Sequence, residues 1–179
     1  MSSQINVIKA CCKRESDYIK KLYKDSFPRL ERKAFFRFNG SNILKFIIKN
    51  GNENAGFMIC CRYKDLFFID YFAVDEKYRN CGIGGKALDV IFERFGDCRI
   101  FLEIEDPSVE CDNKLQREKR LKFYLKKGFS VTDLKVGLMG FDALILAVRG
   151  TIDFSEYQKV YVHAYGRNAG RRFRLKNKT

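Results

Sequence analysis

The stretch Arg79-Asn80-Cys81-Gly82-Ile83-Gly84-Gly85-Lys86 decides how this chain is read. It follows the apolar run Phe67–Val74 and opens a segment, Ile83–Phe95, with helical spacing. In that segment Leu88, Ile91, Phe92 and Phe95 recur on one side. A helix N-terminus carries unpaired N–H groups and the positive end of the helix dipole. Gly82, Gly84 and Gly85 bring no side chains, so a phosphate can approach the backbone, while Arg79 and Lys86 add positive charge. The plain alternative is a strand-to-helix turn, where glycine is common. Three glycines between two basic residues make it the weaker reading.

Upstream of the glycines the pattern is extended. Ile43–Lys49, Gly56–Tyr63 and Phe67–Val74 read as strands, joined by turns at Gly51-Asn52-Glu53-Asn54 and Lys64-Asp65. Three such strands form an antiparallel meander. Before them come a short strand, Ile5–Ala10, and an amphipathic helix, Glu15–Ser26, with Tyr18, Ile19, Leu22 and Tyr23 facing inward. Pro28 ends that helix. The aromatic and basic stretch Phe27–Gly40 reads as a loop with a short helix.

Downstream, Arg99–Glu105 reads as a strand and Leu115–Lys127 as a helix closed by Gly128. Phe129–Val136 and Phe141–Val148 are further strands, and Phe154–Tyr165 a last helix before a basic tail. The strand–helix–strand unit from Phe67 to Glu105 is expected to be right-handed, with its strands parallel. The expected fold is α/β, or α+β. It has a mixed, mostly antiparallel central sheet of about seven strands flanked by helices. The chain has 179 residues and no repeat or linker, which suits one domain over residues 1–150. Residues 151–179 then form a C-terminal helix and basic tail, packed on that domain or extending it.

Composition narrows the function. Apolar residues make up 46% and charged residues 32%, the balance of a folded, water-soluble chain. No apolar run is long enough to span a bilayer, so no membrane is expected as a partner. The start, Met1-Ser-Ser-Gln-Ile-Asn6, lacks the regions of a signal peptide, and a cytoplasmic location is the expectation. The seven Cys are odd in number and show no C-x-x-C, and His163 is the sole His. That argues against a zinc site or a disulfide framework and for reduced, space-filling thiols; no metal is expected. The net charge of +13 favours a polyanion, nucleic acid or a polyphosphorylated cofactor.

Two known glycine motifs come close to the turn. Gly82-x-Gly84-x-x-Ala87 fits the dinucleotide pattern G-x-G-x-x-G/A, and Glu103 and Glu105 lie near the expected acid about 20 residues on. The antiparallel strands before it, the long Asp75–Cys81 connection and the short chain remaining after it argue against a doubly wound sheet. A P-loop fails because Lys86 is followed by Ala87 rather than Ser or Thr.

Arg79-x-x-Gly82-x-Gly84 resembles the R/Q-x-x-G-x-G/A signature of the GNAT superfamily of N-acetyltransferases. Tyr71-Phe72-Ala73-Val74-Asp75 looks like the family's fourth strand, and Phe123-Tyr124-Leu125-Lys126-Lys127-Gly128-Phe129 like its F-Y-x-x-x-G-F segment. Phe27-Pro28-Arg29-Leu30-Glu31-Arg32 resembles the substrate-side loop of some small-molecule members. By element order the resemblance covers residues 5–148.

It implies a fourth strand splayed from the fifth, with acetyl-CoA as co-substrate in the gap. Backbone groups at Phe72, Ala73 and Val74 would pair with the pantetheine arm. Arg79, Asn80, Cys81, Gly82, Ile83, Gly84, Gly85 and Lys86 would hold the pyrophosphate. It further implies Glu103 as the base, with Glu105 as alternate, and Tyr124 as proton donor to the leaving thiolate. The plainer readings are a surface carboxylate on a sheet edge for either glutamate and a core tyrosine for Tyr124. The family's Asn after the fifth strand has only Asn113 as a counterpart in Asp106–Arg117.

The acceptor would be a primary amine of a small molecule or peptide. The loop residues Arg29, Arg32, Lys33 and Arg37 suggest an anionic one. A protein of another class is the alternative. Arg167, Arg171, Arg172, Arg174, Lys176 and Lys178, with Tyr165 and Phe173, would suit nucleic acid. The blander reading of that tail is a solvated segment or a final strand at a homodimer edge. A third alternative is a CoA-binding protein of the same fold without catalysis.

Overall fold

A computed structural model describes residues 4–138, 141–170 and 174–176. Of the basic tail, Arg171, Arg172, Phe173 and Lys178 lie outside the described residues. The strands are β1 (Ile5–Lys9), β2 (Ile43–Asn50), β3 (Glu53–Tyr63), β4 (Leu66–Val74), β5 (Arg99–Glu105), β6 (Ser130–Leu138), β7 (Phe141–Val148) and β8 (Arg174–Lys176). The helices are α1 (Lys13–Ser26), α2 (Ile83–Arg94), α3 (Lys114–Lys126), α4 (Phe154–Tyr165) and a short α5 (Arg167–Gly170). The strand order is β1-β2-β3-β4-β5-β7-β6-β8. This is the expected mixed sheet with flanking helices, with β4 and β5 parallel. It has one strand more than the sequence suggested: Arg174–Lys176 adds β8 antiparallel to β6, so this part of the tail is a sheet-edge strand.

The chain divides into two compact units, Met1–Arg62 with Ile69–Asp97, and Tyr63–Phe68 with Cys98–Thr179. In the first, β1, β2 and β3 pair antiparallel. The β2–β3 turn is tighter than expected. Gly51 takes a positive φ of 60°, so only Gly51 and Asn52 stand between Asn50 and its partner Glu53. Helix α1 starts earlier than its apolar periodicity, because Glu15 turns back and accepts the N–H groups of Cys11 (2.8 Å) and Cys12 (3.4 Å). Its Ile19, Leu22 and Tyr23 are buried as expected, and Tyr18 partly so. Tyr23 anchors an aromatic cluster with Phe27, Phe35, Phe38, Phe57 and Tyr71.

That cluster also pins the Phe27–Gly40 loop, which contains two short 3-10 turns, Arg29–Glu31 and Phe35–Asn39. Tyr23 Oη donates to the Lys33 carbonyl at 3.0 Å, and Tyr71 Oη to that of Glu31 at 2.8 Å. Lys33 Nζ pairs with Asp70 at 2.7 Å in a nearly buried salt bridge. The basic lining read from the sequence is therefore smaller, since Asp70 neutralises Lys33.

In the second unit β7 lies between β5 and β6, antiparallel to both. The start of β4 lies here too, and Phe68 stacks on Phe101 of β5 at 4.8 Å. Helix α4 has a capping box: Asp153 accepts the Glu156 N–H at 2.8 Å and Glu156 accepts the Asp153 N–H at 3.2 Å. Arg99, at the start of β5, grips Glu156 through two bonds (2.7 and 3.1 Å) and also reaches Asp65. Of the cysteines, Cys60, Cys61 and Cys98 are buried and fill space, whereas Cys11, Cys12 and Cys81 are exposed.

The Arg99 guanidinium holds the Glu156 carboxyl below its usual range. Its folded value is thus lower than its unfolded value of about 4.3. The stabilisation is complete above the unfolded value and is lost as pH falls through the folded one. Tm should therefore decline on acidification from pH 6 to 3, and in Glu156→Gln that decline should be shallower, as measured by thermal melts across this range.

Candidate active site

The glycine turn belongs to the first unit. After β4, Asp75 accepts the Lys77 N–H and the chain makes one 3-10 turn, Glu76–Tyr78. Arg79 Nε donates to the Val74 carbonyl at 3.2 Å, tying the loop back to the strand end. Asn80 then adopts φ +62°, and Gly82, the N-cap of α2, adopts φ +73°. Asn tolerates the left-handed region better than most residues, and Gly enters it without a Cβ penalty. A glycine N-cap has no side chain to accept the first-turn N–H groups, and none does so here. Helical bonding begins with the Lys86 N–H on the Gly82 carbonyl. Arg79, Asn80, Cys81, Gly82 and Lys86 are exposed, Gly84 and Gly85 half-buried, and Ile83 is anchored in the core. Phe72 and Val74 are half-buried and Ala73 is buried. Behind β4, a Cβ on Gly56 would sit 2.4 Å from the Ala73 carbonyl oxygen, so the strand backbone is approached as closely as glycine allows.

The second unit holds the proposed chemical groups. Neither glutamate lies on a sheet edge, because β5 is an interior strand. Glu103 and Glu105 alternate with Ile104 and so share a face, yet their surroundings differ. Glu105 is buried and ion-paired with Arg117 (2.5 Å) and Arg120 (3.1 Å), both on α3. Glu103 is half-buried, and its Oε1 accepts hydrogen bonds from Tyr157 and Tyr161 of α4, each at 2.6 Å. The next residue, Asp106, is held by Ser108 and Lys135. Asn113 is the N-cap of α3 and makes no side-chain cap bond.

Tyr124 is buried on α3, against Phe123 and Phe129. The F-Y-x-x-x-G-F pattern has a structural explanation of its own. The Phe129 N–H bonds the Tyr124 carbonyl (3.1 Å) and the Gly128 N–H that of Leu125 (3.0 Å), while the Tyr124 and Phe129 rings meet at 5.5 Å. These are the two bonds and the apolar contact of a Schellman helix end. Burial pushes the Tyr124 phenol up to about 12, against a smaller lowering effect of Arg120.

Sequence reasoning missed Tyr157 and Tyr161. Their i, i+4 spacing marks one face of α4, but nothing local says that the face meets a carboxylate. Among the described residues no helix is long and apolar enough to cross a membrane.

No curated protein matches the chain. Among solved structures, a GNAT-family protein from Bacteroides thetaiotaomicron superposes with a TM-score of 0.73 at 21% identity, over 92% of this chain and 99% of that one. The ribosomal-protein-S18-alanine N-acetyltransferase from Escherichia coli gives 0.62 at 16%, over 84% and 96%. Arabidopsis thaliana NAA60 in complex with acetyl-CoA gives 0.61 at 17%, over 80% and 97%. At these identities the likeness speaks for the fold. A family model described as an acetyltransferase (GNAT) domain matches residues 42–131, half of the chain, and the chain therefore belongs to the GNAT acetyltransferase family.

Proposed function

We propose that the protein is an N-acetyltransferase that moves the acetyl group of acetyl-CoA to a primary amine of a peptide or small molecule by direct attack. The observation that carries this reading is the glycine turn in a chain of this family. Gly82 starts α2 in a left-handed conformation with no capping side chain, and Arg79 and Lys86 flank it. First-turn N–H groups without a cap suit a pyrophosphate. Arg79, Asn80, Cys81, Gly82, Ile83, Gly84, Gly85 and Lys86 would hold it, and the backbone of Phe72, Ala73 and Val74 would pair with the pantetheine arm as an added strand. NAA60 was solved with acetyl-CoA, and the E. coli protein is named for an alanine of a ribosomal protein. The first supports acetyl-CoA as co-substrate, and the second a peptide or protein amine as acceptor.

Bound acetyl-CoA supplies an activated thioester. An alkyl amine has a pKa of about 10.4 and is mostly protonated at neutral pH. Glu103 takes its proton, the nitrogen attacks the carbonyl carbon, the C–N bond forms and the C–S bond breaks, leaving the electron pair on sulfur, and the second proton shed by the new amide nitrogen passes to that thiolate or to water. Glu105 is less suited to the task, because its charge is already matched by two arginines. A thiol has a pKa of about 8.5, so Tyr124, at about 12, is the weaker acid by roughly three decades. Tyr124 therefore serves as a hydrogen-bond donor to the departing sulfur rather than surrendering its proton outright. Tyr124→Phe should lower kcat about tenfold with little change in acetyl-CoA KM. Steady-state kinetics with varied acetyl-CoA check this, and unchanged turnover removes the assignment.

The reading is tested by thermal melts and by a panel of amines. Acetyl-CoA at a hundred times its Kd should stabilise the protein by roughly 2.7 kcal/mol, and NAD should not. Peptides with free N-termini, polyamines, amino acids and aminoglycosides are then screened for acetylated product by mass spectrometry. Stabilisation without transfer to any amine would leave a CoA-binding protein without catalysis. Equal stabilisation by NAD would overturn the cofactor.

A further inference from the structure

The helix that follows the last long strand of the second unit carries a ladder of tyrosines. Tyr157, Tyr161 and Tyr165 recur every four residues on α4, with ring centroids 5.0 Å apart for the first pair and 5.8 Å for the second. Tyr157 and Tyr161 are 0% and 1% exposed, so their phenols need partners inside the protein. Both find the same atom, Oε1 of Glu103, at 2.6 Å. Phenol-to-carboxylate bonds of this length are the strong, charge-assisted kind.

The rings are themselves held. Tyr161 packs on Phe68 at 5.2 Å, and Tyr157 lies against Phe101 and Phe154. The beginning of α4 is fixed to the same strand, because Arg99, four residues before Glu103 and on the same face of β5, grips Glu156. Strand and helix are thus cross-linked at two points. The helix lies outside the 42–131 segment that carries the family's match.

We propose that Tyr157 and Tyr161 are positioning residues for the carboxylate of Glu103, so that α4 completes the active site. This rests on the proposed role of Glu103 as base. An exposed glutamate samples several rotamers, and a base must be held near its productive geometry. Two donors occupy the lone pairs of Oε1 and set the plane of the carboxylate. The proton from the amine then goes to Oε2, and the phenols keep their own protons throughout. The phenols touch neither amine nor thioester; they act through Glu103.

The test is a double-mutant cycle. Tyr157→Phe, Tyr161→Phe and the double replacement keep the rings and remove only the hydroxyls. Each is made in the wild-type and Glu103→Gln backgrounds, with thermal melts to confirm folding. The reaction followed is transfer from acetyl-CoA to the best amine of the panel or, if none reacts, acetyl-CoA hydrolysis, in which water takes the place of the amine. In the wild-type background each single replacement should lower kcat about fivefold to tenfold with acetyl-CoA KM unchanged, and in the Glu103→Gln background it should have almost no effect. Equal losses in both backgrounds, or a fall in Tm with wild-type kcat, would overturn the positioning role and leave Glu103 as base. A wild-type rate for Glu103→Gln itself would overturn the base and this inference with it, as would a wild-type protein that neither transfers acetyl nor hydrolyses acetyl-CoA.

Discussion

Glu103→Gln, which removes the proposed general base, is expected to lower kcat/KM for acetyl transfer by about 10²- to 10⁴-fold. The substitution is close to isosteric. The amide oxygen of Gln can still accept from Tyr157 and Tyr161, so α4 stays docked and Tm changes little. What is lost is the capacity to take a proton. The loss should shrink as pH rises toward the amine's own pKa, because more acceptor is then already neutral. Kinetics at pH 7 and pH 9.5 with one amine check both parts. Glu105→Gln serves as the contrast. It breaks the ion pairs of a buried carboxylate with two half-buried arginines and leaves the proposed base in place, so it should reduce stability before it reduces kcat in the folded fraction.

Gly56→Ala is expected to have the largest effect on stability among single-methyl changes near the proposed cofactor strand. The new Cβ would lie 2.4 Å from the Ala73 carbonyl oxygen, 3.1 Å from Ile48 Cδ1 and 3.2 Å from Val74 Cα. The first and last of these are backbone atoms and cannot rotate away, so β3 and β4 must separate. Such overpacking costs about 3 kcal/mol. For a chain of this size that corresponds to a fall in Tm of roughly 6–12 °C. Because the displaced carbonyl belongs to Ala73, within the stretch proposed to pair with the pantetheine arm, the stabilisation by acetyl-CoA should shrink as well. Melts with and without acetyl-CoA separate the two effects. An unchanged Tm would mean that β3 and β4 separate at this point without cost.

Much of the fold was legible because its signals are local. The 3.6-residue periodicity marked α1 and α2. The apolar runs and the turn at Lys64-Asp65 marked the meander, and Gly128 marked the end of α3 through a motif that six consecutive residues complete. Where boundaries shifted, a side chain or a backbone angle was responsible. Glu15 folding back on Cys11 and Cys12 moved the start of α1, and the positive φ of Gly51 moved the start of β3. Both effects depend on conformations that residue type permits but does not require.

The glycine turn belongs to the same legible class. Its residues, its place after β4 and its role as the start of α2 follow from consecutive sequence alone, since a helix N-terminus is built from its own backbone. The surroundings of the two glutamates do not. Glu103 and Glu105 are identical in type, two residues apart and on one face, and periodicity cannot tell them apart. Their difference lies in which helix each meets: Glu103 finds Tyr157 and Tyr161, 54 and 58 residues away, while Glu105 finds Arg117 and Arg120. Likewise Lys33 looked like part of a basic lining until Asp70, 37 residues on, was found beside it. Local sequence was enough for the elements other than β8 and the short α5, for their order and for the glycine turn, because hydrogen bonds within a turn join near neighbours. Tertiary structure alone decided which carboxylate is held by phenols and which by arginines, because a side chain's charge partner is set by the packing of distant elements.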